Sequence, residues 1–269
     1  MSNQPTTDLE FLVTVKAYPN PSKGVGEAAC IAGVTRKKKL VRIYPVPFRK
    51  LDGDQQFSKY QWVSVPVFKA SSDSRPETWR PVFERLKVQE AIPADGRDWW
   101  ARREWVLPSA SASLCDIQDR QKVDRTSLGL FQPAEVFDFD WKAAENPNWD
   151  PDEISKLSQD DLFLASNNEP LEKIPYSFRY RFRCHDCRTR EPHYMKIVDW
   201  ELMQLYRKMR DECATIEEAL RKVKDKYLGD LCGPGKDTYF FVGNTQAHAE
   251  AFLVLGVFSP KRQVQGRLL

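Results

Sequence analysis

The stretch CHDCRTREPH, residues 184–193, has the residue types and spacing of a metal site. Cys184 and Cys187 form a Cys-x-x-Cys pair, and His193 follows shortly after. A turn between two strands lets two such thiolates converge on one ion at about 2.3 Å, with two further ligands closing a tetrahedron. His193 is the expected third ligand. For the fourth, Cys232 in the Gly-Pro-rich loop LCGPGKD is the first choice, with His185 and His248 as alternatives. A redox-active pair favours a helix N-terminus, and this pair follows a strand pattern, so the expected cofactor is structural zinc. Catalytic zinc keeps an open position and draws on carboxylate or His-rich sets, and the chain has only 3 histidines.

The pair must sit on a rigid hairpin for this chemistry. YSFRYRFRC (176–184) alternates aromatic and basic residues, so Phe178, Tyr180 and Phe182 face one side of a strand and Arg179, Arg181 and Arg183 the other. HYMKIVDW (193–200) reads as the return strand. A helix follows, with Leu202, Tyr206 and Met209 on one face, and then a second opens on the capping-box pair Thr215 and Glu218. TYFFVGN and AFLVLGVF read as two last strands.

Basic and aromatic residues recur together in three places. Residues 35–50, TRKKKLVRIYPVPFRK, hold seven bases and no acid: Arg36, Lys37, Lys38, Lys39, Arg42, Arg49 and Lys50, interleaved with Tyr44 and Phe48. The arginine face of 176–184 is the second place. The third is RDWWARREW, with Trp99 and Trp100 on a short helix. Each alone is an ordinary solvated face over an aromatic core. Together they have what phosphate neutralisation and base stacking require, so DNA or RNA is the expected partner. The bases expected to hold it are Arg36, Lys37, Lys38, Lys39, Arg42, Arg49, Arg179, Arg181 and Arg183, with Tyr44, Trp99 and Trp100 as stacking partners.

Catalytic signatures are weaker. LGDLCGPGKD has the wrong spacing for a phosphate loop, and Asp237 stands where Ser or Thr would bind magnesium. Asp199 and Glu201 are two carboxylates near the metal hairpin, and with Glu191 and Lys196 they raise the alternative of a metal-dependent nuclease. Asp199 serves equally well as a helix N-cap. A protein–protein interaction subunit is a further alternative.

At 269 residues, 41% hydrophobic and 12% aromatic, the chain is long enough for a large core, while a net charge of +3 discriminates little between partners. The start lacks a signal-peptide pattern and no apolar run is long enough for a membrane span, so a cytoplasmic location with reduced thiols is expected. EFLVTVKAY, EAACIAGVT, KLVRIYPVPF and YQWVSVPVFKA read as short strands of a small barrel, and 76–107 as helical. Residues 143–172 carry eight acids against one base and read as a linker.

YPNPS, VRIYPVPFR, SLGLFQPAEV, the Cys-x-x-Cys hairpin leading to IVDWE, and KDTYFFVGN resemble the landmarks of an uncharacterised bacterial protein family. The resemblance spans most of the chain and implies bacterial origin, without an activity or residue roles. The expected fold is α+β: an N-terminal small β-barrel, OB- or PUA-like, over 1–142; an acidic linker over 143–172; and an α+β unit with a zinc-knuckle-like β-hairpin over 173–269.

Overall fold

A computed structural model describes residues 5–94, 99–158 and 169–262. The N-terminal strands are β1 (Thr7–Lys16), β2 (Asn20–Ser22), β3 (Gly26–Thr35), β4 (Leu40–Val46), β5 (Gln61–Phe68), β6 (Thr78–Pro81) and β7 (Lys87–Ala91). They follow the order β1-β3-β4-β6-β5, and β5 pairs back onto β1, so five strands close into a barrel. Only β4 and β6 pair in parallel; β2 and β7 extend β3 and β5. Closure removes the exposed edges that an open sheet of this size would present.

The barrel is filled by β-branched and aromatic side chains on the inner face of each strand. Phe11, Val13, Ile31, Ile43, Val63 and Val65 form one cluster. The alternate residues are buried as well, because the rest of the chain covers the barrel. Leu12, Val15 and Trp62 pack with Leu130, Phe241, Leu255 and Phe258. Burial on both faces explains why these strands read as near-continuous apolar runs rather than clean alternation.

β1 carries a bulge between Val13 and Val15 opposite Gly33. A Cβ on Gly33 would lie 2.0 Å from the Leu12 carbonyl oxygen, and backbone cannot yield as a flexible side chain does. Gly33→Ala is therefore expected to destabilise the barrel by at least about 1–3 kcal/mol, read as a lower urea midpoint.

The helical expectation over 76–91 is corrected by the structure. PETWRPVFERL forms β6, a 3-10 turn at Phe83–Arg85 and the approach to β7. Pro76 and Pro81 cannot donate to a helical ladder, and closing the barrel claims Thr78 and Trp79 as partners of Arg42 and Ile43. Among the described residues of 76–107, the α-helix is the following α1 (Trp100–Val106).

The remainder is α+β: α2 (Leu114–Asp124), β8 (Leu128–Phe131), β9 (Pro133–Ala143), α3 (Pro151–Leu157), β10 (Tyr176–Cys184), β11 (His193–Lys196), α4 (Trp200–Glu212), α5 (Ile216–Lys224), β12 (Tyr239–Asn244) and β13 (Phe252–Phe258). Two three-stranded sheets result, β11-β10-β9 and β13-β12-β8. β8 and β9 thus hydrogen-bond to strands after residue 173, although the sequence groups them with the barrel. Phe139, Phe178, Tyr180, Phe182 and Phe240 fill the core between the sheets and α4 and α5. Tyr180 stacks on Phe240 at 4.7 Å and donates its hydroxyl to the Tyr227 carbonyl at 2.7 Å.

In the acidic stretch, α3 begins on a capping box between Asp150 and Glu153. The rest of that stretch, 159–168 with Asp160 and Asp161, falls outside the described residues. Among the described residues, no helix is long and apolar enough to cross a membrane.

One short segment ties the backbones of the two halves together. Ala17 bridges to Asp199 and Ile197 to Val254. The Tyr18 amide donates to the Val198 carbonyl at 2.8 Å, and the Val198 amide to Val254 at 2.9 Å. Residues 197–199 therefore lie between the end of β1 and β13.

Candidate metal centre and binding cleft

β10 ends at Cys184, the chain turns through Asp186 in the left-handed region (φ 50°), and β11 begins at His193. Phe182 pairs with His193 across the hairpin, which aims the imidazole at the turn. The fourth member comes from elsewhere. α2 starts at Leu114, its N-terminus capped by Ser113, whose Oγ accepts from the Asp116 amide at 3.1 Å. This places Cys115 in the first helical turn, directly against the hairpin.

His193 Nε2 lies 3.7 Å from Cys115 Sγ, 3.5 Å from Cys184 Sγ and 3.3 Å from Cys187 Sγ. The Cys184 and Cys115 sulfurs are 3.7 Å apart. Ligands at about 2.0–2.3 Å around a tetrahedral ion stand roughly 3.5–3.8 Å from one another, so the four atoms already span such a shell. None of the thiols is in a disulfide. The Arg188 amide donates to Cys115 Sγ at 3.5 Å. Burial, and then the Arg183 charge, hold His193 below its ordinary range, keeping the ring neutral as a ligand must be. The residues present fit a tetrahedral metal ion.

Cys232 is not in this cluster. Its thiol donates to the Tyr227 carbonyl at 3.3 Å, and burial pushes it up to about 12. The sulfur follows the turn Asp225–Asp230 that extends α5 and has a backbone partner there, outside the ligand cluster. Cys115 takes the fourth place.

Asp199 and Glu201 do not converge with Glu191. Among the described residues the Cys/His cluster is the one group of three or more metal-capable side chains whose ligand atoms lie within 4.8 Å of one another. Asp199 is the N-cap of α4, its Oδ1 accepting from the Glu201 amide at 3.3 Å. Both carboxylates hold a cation of the chain itself: Lys59 Nζ donates to Asp199 at 3.2 Å and Glu201 at 2.7 Å. Tyr227 donates its hydroxyl to Asp199 Oδ2 at 3.2 Å. Burial alone would lower the Lys59 pKa, but the two acids outweigh it and hold the ammonium above its ordinary range. The group is a clamp between the barrel and α4.

The basic residues singled out from the sequence are widely spread. Arg179, Arg181 and Arg183 face Asp140, Asp138 and Glu135 across β10 and β9, so that face is mixed in charge. Arg36 pairs with Glu10 and Glu90 and lies 3.5 Å over the Trp62 ring. Lys38 sits over Trp105 and donates to the Glu104 carbonyl. Arg49 pairs with Glu27 at 2.8 Å. Trp99 packs on Tyr60 and Phe258, whereas Trp100 is 55% exposed. Lys37 and Lys39 are exposed.

Arg42 and Tyr44 lie together in a different setting. They line a cleft of about 380 Å³ between the β3–β4 face and the C-terminal half, which sequence reading did not locate. Residues 17–20 and 70–78 of the barrel form two of its walls, and the β12–β13 loop forms the third. Arg75 is fixed by Asp73, at 2.9 and 2.6 Å, and donates to the Asn244 carbonyl at 2.8 Å. Gln246 reaches the Ser72 carbonyl. The two loops are thus tied to each other at the rim. Arg42 is buried and donates to Ser127 O at 3.0 Å, with longer contacts to Thr78 Oγ1 and Ser127 Oγ.

Residues 110–269 match the family model for a domain of unknown function, DUF8757, and residues 7–108 match that for another, DUF8758. No curated protein matches the chain. Among solved structures, a chain from "Structure and Conformational Change of a Replication Protein A Heterotrimer Bound to ssDNA" is similar at 10% identity and a TM-score of 0.25. That likeness covers 97% of this chain and 67% of the other; at such a score it carries no argument.

Proposed function

Because the chain belongs to the DUF8757 family, whose function is unknown, we propose its role from its own site: a nucleic-acid-binding protein whose C-terminal half is held by structural zinc. The observation that carries this reading is the position of the cleft. It lies on the second and third barrel strands, β3 and β4, between the loop after β1 and the loop from β5 to β6. OB-type barrels bind oligonucleotides on that face and with those two loops. Here the face offers the arginines Arg42, Arg75 and Arg80 beside the exposed ring of Tyr44, a pairing of cation and aromatic that suits a phosphate backbone and an unstacked base.

Three cysteines and a histidine are a common zinc set, and four protein ligands fill the tetrahedron, which is the arrangement of a structural site. Cys115, Cys184, Cys187 and His193 would hold the ion and join α2 to the β10–β11 hairpin. The nuclease alternative is disfavoured because Lys59 occupies the carboxylates that a catalytic metal would need.

The test is a titration of the purified chain against labelled single- and double-stranded DNA and RNA across salt, with and without Mg²⁺ or Mn²⁺. Binding to single strands is expected to weaken linearly in log[salt], with a slope of about −0.7 per phosphate neutralised, and the strands should stay intact. Absence of salt-dependent binding would overturn the reading. Metal-dependent cleavage would replace it with the nuclease.

A further inference from the structure

Buried polar atoms in native proteins are nearly always hydrogen-bonded, so exceptions call for an account. Two lie in the wall of the cleft. Arg42 is 2% exposed, and its Nε has no partner among the described residues. Its hydrogen-bond partners, Ser127 and Thr78, are all neutral oxygens. Asn244 is 5% exposed, and its Oδ1 has no partner among the described residues, although its Nδ2 donates to the Ala249 carbonyl. Both residues line the cleft, and the backbone next to Asn244 approaches Arg42: a Cβ on Gly243 would lie 2.7 Å from Arg42 Nη2.

A spare guanidinium donor and a spare amide acceptor on residues lining one cleft select a particular ligand chemistry. A bare phosphate would satisfy Arg42 but be repelled by the amide oxygen. A purely apolar group would satisfy neither. The edge of a nucleobase carries both acceptors and donors, and its flat face suits the Tyr44 ring, which is 37% exposed. Size points the same way. At about 380 Å³ the cleft falls in the roughly 300–1,000 Å³ range of small-molecule sites, and the rim contacts of Arg75 and Gln246 wall it off rather than leaving an open channel for a stacked run of bases.

We propose that this cleft takes one unstacked nucleobase, stacked on Tyr44 and read along its edge by Arg42 and Asn244. The inference rests on the nucleic-acid reading above and names the part of the ligand that is recognised. The base can belong to a strand or to a free nucleotide, and the experiment separates the two.

Wild-type and Tyr44→Ala full-length proteins are titrated with a short labelled single strand, with an abasic strand of the same length, and with each nucleoside monophosphate. The Tyr44 ring is exposed, so its removal leaves the fold in place, as a circular-dichroism melt would verify. The base-bearing strand is expected to bind the wild type about tenfold more tightly than the abasic one, and Tyr44→Ala should erase that difference. Monophosphate binding that Tyr44→Ala abolishes supports the pocket and identifies a free nucleotide as its ligand, even if no strand binds and the strand-binding reading falls. Equal affinity for the two strands in the wild type, with no monophosphate bound, overturns the base pocket while leaving backbone binding standing. A preference that survives Tyr44→Ala unchanged also overturns it.

Discussion

Cys115→Ser protein is expected to purify without its metal and with the C-terminal half unfolded, whereas Cys232→Ser protein keeps one metal ion per chain. Both cysteines lie far from the hairpin in sequence, yet only Cys115 stands within ligand distance of Cys184 and His193. Metal binding in small zinc sites is worth on the order of 10–16 kcal/mol and appears directly as folding free energy. That is comparable with the entire stability of an ordinary domain, about 5–15 kcal/mol. Without the ion, two thiols, a hydroxyl and an imidazole are left without a metal to join them, and α2 loses its tie to the hairpin. Cys184→Ser should behave like Cys115→Ser. In Cys232→Ser the hydroxyl can still donate to the Tyr227 carbonyl. Metal content by mass spectrometry and thermal melts would decide the matter: wild-type stability in Cys184→Ser would sink the structural-zinc assignment, and lost metal in Cys232→Ser would sink the ligand set.

The second large effect concerns Lys59. Its side chain is 6% exposed and holds Asp199, 2% exposed, at the junction of barrel and α4. Breaking a buried ion pair on one side leaves the other charge unpaired, at about 3–5 kcal/mol. Lys59→Met should therefore lower stability by about that amount in denaturant unfolding. Glu201 is 53% exposed, so Glu201→Gln should cost no more than about 1 kcal/mol. Equal losses in the two variants would mean that the clamp is a surface pair after all.

The ease of reading this chain depended on how local each signal was. The alternation in YSFRYRFRC placed Phe178, Tyr180 and Phe182 in the core because the period of a strand needs only its own residues. Cys184, Cys187 and His193 announce themselves by spacing for the same reason. Cys115 gives no such sign: it sits on a different element, and only the packing of α2 against the hairpin brings it in. The Gly-Pro loop around Cys232 drew attention through composition, but composition does not say where a sulfur points. Arg42 was similarly hidden. Within a run of seven bases it reads as a surface charge, and it is buried because the β12–β13 loop and β8 cover that side of β4. The strands at β6 and β7 were obscured by an apolar pattern too short to separate strand from helix, and barrel closure decided between them. The cleft itself is a property of two segments at once, so neither strand pattern nor motif could mark it.

That last point bears on how such a protein can be inherited. The two matched segments meet between residues 108 and 110, which would be a natural place for recombination to cut. The cleft does not respect the seam: Arg42 and Tyr44 stand on one side of it, Asn244 and Gln246 on the other. Nor does the clamp, with Lys59 before the seam and Asp199 after it. A gene carrying only the second segment would encode a buried carboxylate stripped of its cation, and a gene carrying only the first would encode a barrel without the cover of Leu130, Phe241, Leu255 and Phe258. Selection is therefore expected to see the pair as a single heritable unit, even though each half has a sequence signature of its own.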